Sequence, residues 1–174
     1  MDNYFFIDRE KEQKNFEALA KILEQSGTIS SSTVITVCSP EYSSAVCQYL
    51  SHRLSHLNNN IPLDLDFLEM PYPNDVRLTK EQYLGLLTHL GEKYRSTGKK
   101  LLLIDSGCLR GTNFALAQQE LTKYLLPEDV KFASIYKQSG SIFKPDFYVE
   151  SFDFEKDGGL LFWWENTNNP LWPW

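Results

Sequence analysis

The sequence predicts an α/β domain built on a mainly parallel β-sheet, with helices on both faces and a small C-terminal extension. Short runs of apolar and β-branched residues, such as TVITVC at 33–38 and LLLID at 101–105, have the character of strands buried on both faces. These runs alternate with segments of helical periodicity, which is the pattern of parallel strands joined by right-handed crossovers. A length of 174 residues suits one such domain.

The first half of the chain supplies two helices around a buried strand. Residues 9–26 form a one-sided helix that we expect to end at Gly27. A short serine linker at 30–32 leads into the strand at 33–38. After a turn, a second apolar stripe of helical spacing covers residues 45–54.

The next strand, at residues 61–70, is of a different kind. It alternates apolar and acidic residues, which predicts an edge strand or one uncovered face. The apolar set points to one side and the acids to the other: Leu63, Leu65 and Phe67 against Asp64 and Asp66. Because no histidine accompanies the two acids, we interpret them as a solvated strand face and not as metal ligands.

The second half repeats the alternation of helix and strand. The predicted elements are a helix at 80–94 closed by Gly98, a strand at 100–105, a helix at about 113–126, a strand at 130–136, and short strands at 147–152 and 160–164. Ligands of parallel α/β sheets bind at the carboxyl ends of the strands. The loops that follow the predicted strands are therefore the candidate sites: residues 39–42, 71–77, 106–113 and 137–143.

Composition restricts the class of partner. The formal net charge is −6 and no long run of Lys or Arg offsets it, so we expect no nucleic-acid or anionic-lipid partner. No apolar run approaches the roughly 18 residues of a membrane span, and the N-terminus lacks an apolar targeting segment. Three cysteines without metal-like spacing fit a reducing compartment, so we expect a cytoplasmic protein.

Four segments, in this order, resemble the type I phosphoribosyltransferases, especially the hypoxanthine-guanine and xanthine members. They are VITVCSPEYSSAVCQYL, IPLDLDFLEM, KLLLIDSGCLRGTNF and VKFASIYKQSGSIFKPDFYVE. On this resemblance the chain divides into an N-terminal helix and linker at 1–32, a phosphoribosyltransferase-like domain at 33–165 and an aromatic tail at 166–174. The resemblance implies a phosphoribosyl-pyrophosphate donor and a purine or similar acceptor.

The family's donor motif is an apolar run, two acids, three variable residues and Thr-Gly-x-Thr, and here it is degenerate. The resemblance makes Asp105 the catalytic acid that holds the ribose, whereas Ser106 replaces the second acid and Leu109 replaces the acid that handles the base's proton. The phosphate cradle would consist of Arg110, Gly111, Thr112 and Asn113, since loop amides at a helix start bind phosphate. A simpler interpretation of the same residues is a turn in which Asn113 caps the helix.

The resemblance also places a pyrophosphate loop and a base site. The pyrophosphate loop would be Ser39, Pro40 and Glu41, where purine members have a Lys-Gly-Gly, and we predict a cis Ser39–Pro40 bond. Lys137 would read the base, with a solvated loop lysine as the alternative. The position of the aromatic residue that stacks on the base would fall at Gly159, which offers no stacking surface.

These losses lead to two functional hypotheses. The first is a divergent purine-type phosphoribosyltransferase-like protein that binds a nucleotide or phosphoribosyl pyrophosphate, the latter with magnesium (Mg), and has weak or absent transferase activity. The second is a non-catalytic pseudoenzyme that serves as a protein-interaction or regulatory module, using the cradle or the tryptophans of the tail. The oligomeric state is left open between a monomer and a homodimer.

Overall fold

The computed structural model describes residues 4–71, 78–157 and 159–162. In chain order the elements are β1 (Tyr4–Ile7), α1 (Arg9–Ser26), β2 (Thr33–Cys38), α2 (Pro40–Arg53), a 3₁₀ helix (Ser55–Asn58), β3 (Asp64–Leu68), α3 (Lys80–Tyr94), β4 (Lys100–Cys108), α4 (Thr112–Leu121), a 3₁₀ helix (Pro127–Asp129), β5 (Val130–Gln138), β6 (Phe147–Phe152), α5 (Phe154–Asp157) and β7 (Gly159–Phe162). The predicted aromatic tail and most of the 71–77 loop lie outside the described residues.

Five strands form the central sheet in the order β3-β2-β4-β5-β6. All four pairings in this sheet are parallel. The two remaining described strands, β1 and β7, pair with each other in a small parallel ribbon. The predicted α/β class with a parallel sheet is therefore confirmed.

The helix ends follow the local chemistry of the sequence. The side chain of Asp8 accepts a 2.7 Å hydrogen bond from the backbone N–H of Lys11 and so caps the start of α1. Gly27 ends that helix in the left-handed conformation, as predicted. At the start of α3, Thr79 and Gln82 form a reciprocal capping box.

Helices cover both faces of the sheet. On one face α1 and α2 bury apolar side chains that include Leu19, Leu23, Val46 and Leu50. On the other face α3 and α4 bury Tyr83, Leu87, Phe114 and Leu121. The central strands therefore lack a solvent-facing side, and all six residues of β2 are buried. Helix α1 belongs to this core, although it precedes the domain start at residue 33.

Strand β3 is an edge strand, as its alternating pattern predicts. The carboxylate of Asp64 lies 3.0 Å from the ammonium of Lys99, and that of Asp66 lies 2.8 Å from the ammonium of Lys93. The acids thus form ion pairs at the surface. Phe67, which the pattern places on the apolar side of the strand, is 59% exposed at this edge of the sheet. None of the described helices combines the length and apolar character that a membrane crossing requires.

Candidate functional site

The strand order creates a crevice between β2 and β4. The crossover from β2 leads to β3 on one side, whereas β4 lies on the other side and leads away to β5. At such a switch point the two connections diverge and leave space above the carboxyl ends of the strands. The site is therefore bounded by the β2–α2 junction at Ser39 and by the β4–α4 loop at residues 109–111.

Strand β4 runs three residues further than predicted. It pairs with β5 up to Cys108, with Gly107 opposite Tyr136 and Cys108 opposite Lys137. The predicted loop at 106–113 is thus shortened to residues 109–111. Asp105 consequently lies within the strand and not at its tip. The physical reason is that β5, nine residues long, offers a pairing partner beyond the point where the apolar run of β4 ends.

The carboxyl of Asp105 accepts hydrogen bonds from α2 and from the residues that follow it in β4. The hydroxyl of Ser43, in α2, donates to Oδ1 of Asp105 at 3.0 Å and accepts a 3.0 Å hydrogen bond from the backbone N–H of Ser106. Burial raises the pKa of Asp105 to about 6, although hydrogen bonds from Ser43 and from the amides of Ser106 and Gly107 oppose the rise. Asp105 therefore connects α2 to β4, and its carboxyl is already engaged.

The same region offers little to a magnesium ion, which the family resemblance implies when a diphosphate donor is bound. Ser106 stands where the second acid would be, and it is buried. No group of three or more His, Cys, Asp or Glu side chains with metal-binding geometry occurs in the described ranges. Magnesium prefers carboxylate, water and phosphate oxygens. The described residues of this region do not form a magnesium site, and we assign no chemical step to the metal.

The β4–α4 loop is tightly supported by the β5–β6 loop. The backbone N–H of Ile142 donates to the carbonyl oxygen of Arg110 at 3.1 Å. A Cβ on Gly111 would lie 2.5 Å from Oγ of Ser141 and 2.8 Å from the backbone nitrogen of Phe143. Gly111 also has a φ of 79°. Only glycine fits this position.

Gly111, and not Asn113, is the residue that caps α4. Gly111 has no side chain to cap this helix, and no side chain of the described residues accepts from its first N–H groups. The side-chain amide of Asn113 donates instead to the carbonyl oxygen of Pro71 at 2.8 Å. The backbone carbonyl oxygen of Asn113 accepts a 3.1 Å hydrogen bond from the hydroxyl of Tyr83. Asn113 thus links α4 to α3 and to the end of the β3 segment.

Two members of the predicted phosphate cradle are available to a ligand. Arg110 and Thr112 are exposed at the helix start. Within the described part of the chain, the guanidinium of Arg110 has no ion-pair or hydrogen-bond partner. An exposed guanidinium and hydroxyl without a partner among the described residues, together with the N–H groups of the helix start, present donors to an anion.

The β2–α2 junction is closed in a different way. Ser39 has a φ of 55° and a ψ of 70°, and its backbone N–H donates to the carbonyl oxygen of Leu68 at 3.1 Å. Pro40 is the first residue of α2, five residues before the predicted apolar stripe. The peptide bond between them is trans, so the cis prediction is wrong. A trans proline suits a first helical position because its fixed φ is close to the helical value. The side chain of Glu41 lies outside the described residues.

Lys137 is part of β5 and does not project from a loop. Its ammonium donates to the carbonyl oxygen of Gln138 at 3.2 Å and lies 5.7 Å from the centroid of the Tyr148 ring. The side chain is half-buried. Gly159 opens β7 and pairs with Tyr4. The structure thus brings Asp105 and Lys137 onto adjacent strands, but each has protein partners.

The contacts around Asp105 and Gly111 were not predicted from the sequence. The serine that binds Asp105 is 62 residues away from it in the chain, and no motif marks it. The close approach of Ser141 to Gly111 also joins residues that are distant in the chain. A cavity of about 160 Å³ lies elsewhere, at the amino ends of the strands, where Lys100 and Lys131 are among its lining residues.

The fold resembles that of solved phosphoribosyltransferases. A purine phosphoribosyltransferase from Pyrococcus horikoshii Ot3 is 15% identical, with a TM-score of 0.62 over 93% of this chain and 94% of that one. A Helicobacter pylori xanthine-guanine-hypoxanthine phosphoribosyltransferase is 13% identical, with a TM-score of 0.65 over 95% of each chain. A hypothetical protein from Neisseria gonorrhoeae with bound ppGpp is 14% identical, with a TM-score of 0.61 over 97% of this chain and 92% of that one.

No protein-family model and no curated protein sequence matches the chain. At these identities the structural likeness shows the fold, which is of the phosphoribosyltransferase type, and does not by itself assign an activity.

Proposed function

We propose that the protein is a divergent purine-type phosphoribosyltransferase-like protein that binds a nucleotide or phosphoribosyl pyrophosphate and has weak or absent transferase activity. The observation that carries the proposal is the start of α4, where Gly111 leaves the helix without a side-chain cap and Arg110 is exposed without a described partner. This arrangement suits the phosphate of a nucleotide. One similar solved structure contains ppGpp, which makes a purine nucleotide a reasonable first ligand.

Weak or absent transfer follows from what has replaced the acids. Asp105 is bonded to Ser43, Ser106 is buried, and Leu109 cannot accept a proton. Loss of one electrostatic or acid-base contribution typically costs about a hundredfold in rate or more. We expect the combined effect to place turnover near or below the limit of detection. A cytoplasmic location stays a prediction from the cysteine content.

Binding and turnover are tested separately. GMP, IMP and phosphoribosyl pyrophosphate are titrated calorimetrically into the wild type and into an Arg110→Gln, Thr112→Val double variant. Binding of at least one ligand at micromolar concentration, and its loss in the double variant, is the expected result. Absence of binding by all three ligands would contradict the proposal. Pyrophosphate release with guanine, hypoxanthine or xanthine at rates typical of enzymes, about 1–1,000 per second, would contradict the loss of activity.

A second candidate function is a protein-interaction module. Leu109 and Ile142 lie on adjacent loops at the same edge of the sheet and are 42% and 74% exposed. Exposed apolar side chains beside a pocket occur at interaction surfaces. If no nucleotide binds, a Leu109→Asp, Ile142→Asp variant is compared with the wild type for concentration-dependent association by analytical ultracentrifugation. Association that this variant abolishes would support the second function, and a monomer under all conditions would contradict self-association.

A further inference from the structure

The cavity of about 160 Å³ lies at the amino ends of the central strands, opposite the edge that holds the candidate site. Its walls come from the end of α1 at Gly27 and Thr28, the first residues of β2 and β4, and the start of β5. Because a cavity of about 150 Å³ in another protein binds benzene, this volume accommodates a ligand of similar size. Lys100 and Glu128 line the cavity and are exposed, so solvent reaches it.

Two lysines of neighbouring strands line this cavity. Leu102 of β4 pairs with Lys131 of β5, and Lys100 is two residues before Leu102, so both lysines project from the same face of the sheet. The ammonium of Lys100 lies 4.0 Å from the carboxylate of Asp129, and that of Lys131 lies 3.5 Å from the carboxylate of Asp146. Charge-assisted hydrogen bonds are usually about 2.7–2.9 Å long. Neither ammonium donates a hydrogen bond within the described part of the chain, so both keep donors for a ligand.

A buried hydroxyl adds a further donor. Thr33 lines the cavity and is only 2% exposed. Its hydroxyl accepts a 2.9 Å hydrogen bond from the backbone N–H of Ser30, but its own hydrogen has no acceptor among the described residues. A hydroxyl donates one hydrogen bond in addition to those that it accepts, so an acceptor bound in the cavity would complete the bonding of Thr33. The strands therefore offer two ammoniums and a hydroxyl hydrogen to an anionic group.

The same cavity also carries negative charge. Among the described residues that line it, Glu128 is the one acid. Gly27 and Thr28 follow the last turn of α1, where helix carbonyls carry a partial negative charge that no basic residue of that turn offsets. These groups repel a ligand that is only anionic and attract a ligand that also has a cationic group.

We infer that the cavity is a binding site for a small zwitterion of the α-amino-acid class. The ammoniums of Lys100 and Lys131 and the hydroxyl of Thr33 bind its carboxylate. The carboxylate of Glu128 binds its ammonium. Such a ligand pairs both kinds of charge in the cavity, whereas a phosphate or a simple carboxylate leaves the acid without a partner.

This site is separate from the proposed nucleotide site. Strand β4 is nine residues long, so at about 3.3 Å per residue its two ends are about 25 Å apart. The inference therefore does not depend on nucleotide binding, and either can fail without the other.

The test follows amide chemical shifts of the full chain in NMR titrations with glycine, L-alanine, acetate and inorganic phosphate. We expect saturable shifts at the residues that line the cavity, with a Kd of about 1 mM or below for the amino acids and at least about tenfold weaker binding of acetate and phosphate. Acetate or phosphate that binds within about tenfold of L-alanine would overturn the inference, because the cavity would then recognise an anion alone. Absence of saturable shifts at the cavity with both amino acids would also overturn it.

Variants identify the contacts. Lys131→Gln should raise the Kd of L-alanine about tenfold or more, because a charge-assisted hydrogen bond is lost. Lys99→Gln is the matched control, since Lys99 does not line the cavity and its ammonium lies 3.0 Å from the carboxylate of Asp64. Equal effects of these two variants would contradict a specific contact. Glu128→Gln should weaken L-alanine and leave acetate unchanged, and an unchanged ratio of the two Kd values would overturn the zwitterion assignment. Dispersed amide spectra show that each variant is folded.

Discussion

The hydroxyl of Ser43 lies 3.0 Å from Oδ1 of Asp105 and donates a hydrogen bond to it. The same hydroxyl accepts the backbone N–H of Ser106 at 3.0 Å. One buried side chain of α2 therefore satisfies a donor and an acceptor of β4 at once. The acid that the family resemblance makes catalytic is thus hydrogen-bonded to the helix that packs on its strand.

Ser43→Ala is expected to destabilise the fold. The change leaves the N–H of Ser106 without its acceptor and removes a donor from Asp105, at a cost of about 1–3 kcal/mol in unfolding free energy. Urea denaturation measures the loss. Ser44→Ala is the matched control, because Ser44 is the next residue of α2, is only partly buried and has no described hydrogen bond from its hydroxyl. Equal losses in the two variants would contradict the bridging role of Ser43.

Asp105 makes stability depend on pH. Its pKa in the folded state is about 6, above the ordinary value of 3.8, because burial disfavours the charged form. As pH rises from about 4 through 6, the unfolded chain releases this proton before the folded chain does. Stability therefore falls with rising pH in this window, and Asp105→Asn removes that part of the dependence. Relative to the variant, the wild type loses on the order of 2 kcal/mol between pH 4 and pH 8.

Denaturation series at pH 4 to 8 measure this difference between wild type and Asp105→Asn. Asp66→Asn is the control, because Asp66 contributes a pH dependence of stability with the opposite sign. Burial alone would raise the pKa of Asp66, but hydrogen bonds from Lys93 and Tyr94 outweigh it and lower the pKa. The stabilising effect of Asp66 is therefore present above its unfolded pKa and is lost as pH falls below it. A gap between wild type and Asp105→Asn that stays constant with pH would refute the assignment.

Gly111→Ala is expected to destabilise the protein more than Gly98→Ala. Both glycines have positive φ, 79° and 65°, so both substitutions carry a similar backbone strain. Only at Gly111 would the new Cβ meet the backbone of Phe143, at 2.8 Å, and the side chain of Ser141. The difference in unfolding free energy between the two variants should be about 1–3 kcal/mol. Thermal denaturation of both variants gives this value. Equal midpoints would contradict the prediction, because they would mean that the β4–α4 and β5–β6 loops accommodate the Cβ with no loss of stability.

Arg110→Gln should weaken nucleotide binding without changing stability. A charge-assisted hydrogen bond to phosphate contributes about 1.5–3 kcal/mol, so the Kd should rise about tenfold or more. Because Arg110 is exposed and has no described partner, the Tm should stay unchanged. Arg95→Gln controls for general electrostatic attraction, since Arg95 is exposed at the end of α3. An equal effect of both variants on the Kd would exclude a specific phosphate contact.

Much of the fold was predictable because the signals that specify it are local. The buried run at β2, the capped start of α3 and the left-handed Gly27 each depend on residues within a few positions. The alternation of acidic and apolar residues in β3 predicted an edge strand or one uncovered face, and the strand lies at the edge. The exposure of Phe67 could not be predicted. Side chains alternate with a period of two in every strand, whether the face they reach is exposed or buried.

The edge that holds the candidate site was predicted from the same local signals, since parallel strands bring their carboxyl ends to one edge. The hydrogen-bond partners of the residues at this edge could not be predicted from local signals. The length of β4 depends on β5, and the state of Asp105 depends on Ser43, 62 residues earlier. The side chain of Asn113, predicted as a cap or a phosphate ligand, bonds Pro71 across 42 residues.

The sequence by itself predicted the alternation of helices and strands from α1 onward, most of the helix ends and the edge of the sheet at which we propose that a ligand binds. Those features depend on periodicity, capping and turn residues, all of which act between residues close in the chain. Only the tertiary structure decided that Asp105 is hydrogen-bonded to Ser43, that Gly111 packs against Ser141 and Phe143, and that Arg110 has no partner among the described residues. Such contacts join residues far apart in the chain, and they exist because packing the layers brings those particular side chains within hydrogen-bond distance.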